Sequence, residues 1–126
     1  MQMSNSKKRI RTVVIEDERR ARETLVKLLT KYCPGVEVVG EADSVNSAIE
    51  IITQIKPKLV FLDIEIIGGT GFDVLEHMMP YDFSVVFTTA YEKYEKIAKQ
   101  YPKSVLMFKP LGIEDIINQV KQILWK

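Results

Sequence analysis

Residues 58–69, "KLVFLDIEIIGG", decide how this chain is read. Leu59, Val60, Phe61 and Leu62 are branched or aromatic and do not alternate with polar residues, so they read as a strand buried on both faces. Asp63 follows at once, and an ionised carboxylate at the edge of a core is costly unless its surroundings answer the charge. Gly68, Gly69 and Gly71 then keep the following loop flexible.

Working outward, five such strand-like runs (10–15, 36–41, 59–62, 84–88 and 105–108) alternate with five helical stripes. Ala21, Leu25, Leu28, Leu29 and Tyr32 mark the first helix, which Pro34 and Gly35 stop. Ser44 caps a second carrying Val45, Ala48, Ile49, Ile52 and Ile55, closed by Pro57. Phe72, Leu75 and Met79 mark a third, ended by Pro80. Tyr94, Ile97, Ala98 and Tyr101 mark a fourth, ended by Pro102. The fifth carries Ile113, Ile116, Ile117, Val120, Ile123 and Leu124. Strict alternation with near-continuous apolar strands implies an α/β fold, a doubly wound parallel sheet with helices on both faces. With right-handed crossovers the expected order is flavodoxin-like, 2-1-3-4-5, and ligands then bind at the C-terminal ends of strands 1 and 3.

The chain has 126 residues, 46% hydrophobic and 28% charged, with a formal net charge of +1. That size suits one domain over 1–126, with a polar tail over 1–8, and needs no disulfide or structural metal. The near-neutral charge argues against nucleic acid as the main partner of this segment. The lone Cys33 fits a reducing cytoplasm, and neither it nor the only histidine, His77, has companions for a metal or redox site. No apolar run approaches the ~18 residues of a membrane span, and a secretory h-region is absent.

Glu16, Asp17 and Glu18 end the first strand and Asp63 ends the third. In the inferred order these strands are neighbours, so Glu16, Asp17 and Asp63 converge at the switch point. Like charges this close raise one another's pKa or recruit a cation. Hard oxygen ligands beside a mobile phosphate suit Mg2+. "VVFTTAY" brings the hydroxyls of Thr88 and Thr89 to the same edge, and "MFKP" brings Lys109, followed by a Pro110 that fixes the turn. A carboxylate nucleophile, a metal, a hydroxyl and a lysine together can bind and transfer a phosphoryl group.

In these residues the sequence resembles the receiver domain of bacterial two-component response regulators, over nearly all of 8–126. The matching pieces are "VVIEDE", "LVFLDIEIIGGTGFDVLE", "VVFTTAY" and "KPLGIEDI". The resemblance implies that Asp63 accepts a phosphoryl group from a histidine kinase and that Thr89 and Lys109 contact it. It implies that Asp17 binds Mg2+ directly, with Glu16 acting through water and the main-chain carbonyl of Glu65 as a further ligand. "DIE…GGTGFDVLE" and "FTTAYEKY" are most similar to receivers that precede a LytTR-type DNA-binding domain, so DNA is expected as a partner only through such an output domain. Glu65 and Tyr91 occupy positions that in receivers flank the path of hydrolytic water, which they are expected to crowd.

Three positions depart from the family pattern. Ile67 stands where a proline is usual, Glu16 replaces the commoner aspartate, and Leu106 replaces the aromatic three residues before the lysine. Phe108 is expected in the core rather than as its substitute. Lys93, Lys96 and Lys99 of the fourth helix and Glu114 and Asp115 of the fifth offer opposite charges for a homodimer through the helix 4, strand 5 and helix 5 face. Two other classes compete. A toprim-like Mg2+-dependent nucleic-acid phosphotransferase explains Asp63 and Glu65 but leaves Thr89, Lys109 and Pro110 unexplained. A receiver-like interaction module that is never phosphorylated is favoured only by Leu106. A flavin or nucleotide module is weaker, because "EDERRAR" has no glycine loop for a phosphate.

Overall fold

Successive residues of the central strands feed opposite faces of the sheet, which is why those strands show no polar alternation. In the computed structural model, which describes residues 9–124, the strands are β1 (Ile10–Ile15), β2 (Val36–Ala42), β3 (Leu59–Asp63), β4 (Glu65–Ile66), β5 (Gly69–Thr70), β6 (Ser84–Thr89) and β7 (Ser104–Phe108). The helices are α1 (Arg19–Tyr32), α2 (Val45–Ile55), α3 (Gly71–Met78), α4 (Glu95–Ala98) and α5 (Ile113–Leu124). The tail expected over 1–8 lies outside the described residues. Five strands form one parallel sheet in the order β2-β1-β3-β6-β7, the flavodoxin-like order read from the sequence.

Val13, Ile15, Val60, Leu62, Val85 and Phe87 pack on one side against Ala48 and Ile52 of α2, Phe72, Val74 and Leu75 of α3, and Ala98 of α4. Val14, Leu59, Phe61, Val86 and Met107 pack on the other against Leu25 and Leu29 of α1 and Ile116 and Val120 of α5. Each large side chain buried this way stabilises the fold by about 1.5–3 kcal/mol.

The strands run slightly further than the sequence suggested, and one extra residue matters twice. Asp63 and Thr89 are the last residues of β3 and β6 rather than the first of a loop, so ladder hydrogen bonds hold their backbones. Helix starts are capped by side chains: Glu18 accepts from the Ala21 N–H at 2.7 Å, and Ser44 with Ser47 forms a capping box. Thr70 and Asp73 form another at α3, satisfying N–H groups that the first helical turn leaves open.

The loop after Asp63 is not slack. Glu65 and Ile66 pair antiparallel with Gly69 and Thr70, and Gly68 takes a positive φ of 89° in the turn between them, where a side chain would be strained. The Val45 N–H donates to the Ile67 carbonyl at 2.9 Å, so Ile67 is anchored where proline is usual in receivers. At Gly71 a Cβ would lie 2.8 Å from the Asp63 carbonyl oxygen; only glycine lets α3 start this close to the strand end.

Two expectations are corrected. The fourth helix is not a continuous run to Tyr101. A 3-10 turn over Glu92–Tyr94 leads into the single turn of α4. Its exit tightens through Gln100 N–H to Ile97 O (3.0 Å) and Tyr101 N–H to Ala98 O (3.1 Å). The Ser104 hydroxyl lies within hydrogen-bond distance of the Tyr101 and Ala98 carbonyl oxygens, at 2.7 and 3.2 Å, giving them a partner other than further helix. Phe108 is not a core residue: it is 41% exposed. It sits on the edge strand, on the same face as Leu106, and the one-turn α4 is too short to cover it; Leu106 does pack against the core.

Candidate functional site at the carboxyl ends of β1, β3 and β7

The parallel sheet places three strand ends side by side at the point where the order reverses. Glu16 follows β1, is 5% exposed, and is held by its own backbone: its N–H donates to Ala42 O at 3.0 Å, and Arg22 Nη1 donates to its carbonyl at 2.9 Å. Asp63, also 5% exposed, accepts the Glu65 N–H on Oδ1 at 3.3 Å. Lys109 follows β7 directly and is joined to Pro110 by a cis peptide bond. Its Nζ donates to Glu16 Oε1 at 2.8 Å and to Asp63 Oδ2 at 2.9 Å, so one ammonium answers two buried carboxylates.

The charges are unequal in consequence. Burial, with the negative charge of Glu16, pushes Asp63 up to about 6 against the pull of Lys109. Burial works to raise Glu16 as well, but the bonds from Lys109 and the Glu18 N–H outweigh it and hold Glu16 below the usual carboxylate range. Asp17 is exposed and raised slightly by partial desolvation and by Glu16 beside it. Burial pulls Lys109 down, yet its two carboxylate partners keep it above its ordinary value.

One carboxylate oxygen from each of Glu16, Asp17 and Asp63 lies within 4.8 Å of the other two. Three anionic hard-oxygen donors with no sulfur or imidazole fit a small divalent cation such as Mg2+. The sequence-expected residues are therefore mostly together: Glu16, Asp63 and Lys109 in direct contact, and Asp17 beside them. Thr89 is not joined to them by a side-chain hydrogen bond. Asp63 lies level with Thr88 in the ladder, and Thr89 one residue further, level with Phe108. The Thr89 hydroxyl accepts the Tyr91 N–H at 3.1 Å. Two contributors escaped the sequence reading, Arg22 and Tyr94. Tyr94 donates to Glu65 Oε2 at 2.6 Å, drawing that acid toward the segment after β6; in the sequence its only signal is its place in a helical stripe.

Residues 12–121 match the family model of the response regulator receiver domain. The chain belongs to that family. The receiver is 34% identical over 115 residues to the sensory transduction protein LytT of Bacillus cereus, covering 90% of this chain and 46% of that protein. It is 36% identical to LytT of Enterococcus faecalis, with 87% and 46% covered. The chain thus spans about half the length of the curated relatives it matches. Among solved structures it is similar to the signal receiver domain of the response regulator NarL from Mycobacterium tuberculosis. There the TM-score is 0.80 at 25% identity, with 94% of this chain and 98% of that one covered. The PhyR receiver domain of Erythrobacter litoralis gives a TM-score of 0.81 at 26% identity, covering 95% and 93%. The likeness to LytT proteins agrees with the LytTR-associated group named from the sequence, and the toprim-like alternative falls with it. Among the described residues no helix is long and apolar enough to cross a membrane. As a receiver, the domain is a signalling regulator rather than a classical enzyme.

Proposed function

We propose that Asp63 is the phosphoacceptor, taking a phosphoryl group from a phosphohistidine of a histidine kinase. An Asp63 carboxylate oxygen attacks phosphorus, the N–P bond breaks, and the electron pair leaves on the imidazole, which regains a proton. The observation that carries this reading is Lys109 Nζ bound at once to Glu16 and Asp63. A cation already placed at the nucleophile can follow the charge onto the phosphoryl oxygens. Glu16, Asp17, Asp63 and the main-chain carbonyl of Glu65 are the residues that would hold Mg2+. Bound there, Mg2+ supplies neutralisation of the charge on the transferring group. Thr89, released from the Tyr91 N–H, is the hydroxyl within reach of the new acyl phosphate.

On this reading the phosphorylated domain controls an output, transcription through a LytTR-type DNA-binding domain outside this chain. The setting is the cytoplasm, where a buried free thiol such as Cys33 stays reduced. We also infer a homodimer through α4, β7 and α5, supported by the exposed Ile97, Val105, Phe108 and Ile113 on that face.

The test is incubation with Mg2+ and acetyl phosphate, followed by intact mass and peptide mapping. One phosphoryl on Asp63, lost in Asp63→Asn, is the expected result. No phosphoryl on the parent leaves an interaction module and ends the phosphoacceptor reading.

A further inference from the structure

The bond from the Tyr94 hydroxyl to Glu65, at 2.6 Å, is the shortest side-chain hydrogen bond among the described residues. It joins two segments that flank Asp63 from different strands. Glu65 stands two residues beyond Asp63 and donates its own N–H to the Asp63 carboxylate. Tyr94 ends the 3-10 turn that leads into α4. Because the acceptor is a carboxylate, the bond is charge-assisted; the same carboxylate, with some desolvation, pushes the phenol up to about 12, so the shared proton stays on Tyr94.

Beyond that bond the segment is held by Tyr94 packing partly against the core, by buried Ala98, and by the Ser104 hydroxyl near the Ala98 carbonyl at 3.2 Å. No residue of the 3-10 turn is buried, and α4 buries only Ala98. Tyr91 and Ile97 are exposed. The Tyr94 ring lies 5.9 Å from that of Phe72 and 6.4 Å from that of Tyr91, with Lys93 Nζ 5.2 Å above it. The second tether to the site is the Tyr91 N–H on the Thr89 hydroxyl. At the carboxyl ends of the strands residues 91–98 are therefore tied by two hydrogen bonds, one through β3 and one through β6, while Ser104 at the start of β7 holds the far end.

We propose that the Glu65–Tyr94 bond is a latch that holds residues 91–98 against the site in the resting receiver, and that negative charge added at Asp63 opens it. The inference rests on the reading of Asp63 as phosphoacceptor. Phosphorylation replaces the single carboxylate charge of Asp63 by an acyl phosphate of about −1.5 to −2, up to about one added negative charge on a side chain already bonded to the Glu65 N–H, and repels the Glu65 carboxylate. The same group draws the Thr89 hydroxyl off the Tyr91 N–H, which frees that one amide, so the hold on the rest of the segment is set by the Glu65 bond. Tyr94 then supplies the aromatic whose release reports phosphorylation, in a chain that has leucine at 106. Tyr94 acts here as a positioning residue, through Glu65, and touches no reacting atom.

Hydrogen–deuterium exchange over residues 91–98, with intact mass on the same samples, tests this in the parent, Tyr94→Phe and Glu65→Gln, with and without Mg2+ and acetyl phosphate. In the parent, phosphorylation should speed exchange about tenfold, the loss of one charge-assisted hydrogen bond from a local opening. Tyr94→Phe should exchange at the fast rate before phosphorylation and gain no more than about twofold after it. Glu65→Gln keeps an acceptor for the phenol but no charge to repel, so its segment should stay slow after phosphorylation; a merely structural Tyr94 would not produce that immunity. If Tyr94→Phe starts as slow as the parent, or keeps the full tenfold response, the latch is overturned. If intact mass shows no phosphoryl on the parent, the phosphoacceptor reading fails first and the latch goes with it.

Discussion

Lys109 and Asp63 meet at 2.9 Å although their strands are not neighbours: β6 runs between β3 and β7. The lysine spans the end of β6 to reach the carboxylate, and the same ammonium continues to Glu16 after β1. One long side chain thus ties together three of the five strand ends.

Replacing Lys109 by methionine keeps most of the packing and leaves Glu16 and Asp63 as an unanswered buried pair. We expect a loss of about 1–3 kcal/mol at pH 8, in metal-free buffer, because breaking such a pair strands charge in the interior. At pH 5 Asp63 is protonated and the loss should shrink. Urea unfolding of Lys109→Met at both pH values measures it; an equal loss at each would show that packing rather than charge is responsible.

Asp63→Asn should behave oppositely. The folded-state pKa of Asp63 is about 6 against an ordinary 3.8. Its neutral form therefore adds stability that is fully present below pH 3.8 and is lost as pH rises through about 6. A permanently neutral asparagine escapes that loss, so in metal-free buffer the variant should melt higher than the parent at pH 8, on the order of 3–6 °C. Near pH 4 the two should converge. Calorimetry across this window decides it, and a lower midpoint at pH 8 would falsify the account in which burial and the Glu16 charge disfavour an ionised Asp63.

Asp17 is exposed, so Asp17→Ala should leave the melting temperature within about 2 °C. It should weaken Mg2+ binding at least tenfold through loss of one anionic ligand. Isothermal titration with MgCl2 checks the affinity directly. Unchanged affinity, together with phosphorylation that survives a chelator, would remove Asp17 from the metal site.

Leu29 of α1 is fully buried against Val14, Phe61 and the α5 residues. Leu29→Ala should cost about 2–5 kcal/mol by lost transfer energy and the cavity left behind. Chemical denaturation reads this, and intact mass should still show phosphorylation wherever the variant remains folded.

Self-association through α4, β7 and α5 should be weak, strengthen with beryllofluoride and decline with salt, since exposed charges are screened beyond about 8–10 Å at 0.1–0.15 M. Lys93, Lys96 and Lys99 on one side and Glu114 and Asp115 on the other carry the salt dependence. Sedimentation at low and high salt is the check. Monomers throughout, at high concentration and with beryllofluoride, would assign this exposed face to a different partner.

The strand order and the meeting of Glu16, Asp17 and Asp63 were legible in the linear pattern because each rests on local repetition. Unbroken apolar runs at 59–62 and 84–88 need helices on both faces, and a right-handed parallel crossover leaves few ways to order five strands. An acid at the end of each of two adjacent strands must then converge. What depends on reach across the fold was not legible. No spacing shows that Lys109 passes the end of β6 to bond Asp63, that Arg22 steadies the Glu16 carbonyl, or that Tyr94 closes on Glu65. Those contacts are set by side-chain rotamers and by backbone that turns only under tertiary constraint. The same limit explains the fourth helix and Phe108. Apolar periodicity shows which residues can share a face, but a helix persists only while packing outweighs competing bonds at its end, and the Ser104 hydroxyl competes there, 2.7 Å from the Tyr101 carbonyl oxygen. With α4 cut to one turn, Phe108 at the outer end of β7 stays 41% exposed, and an aromatic that reads as core is left at the surface.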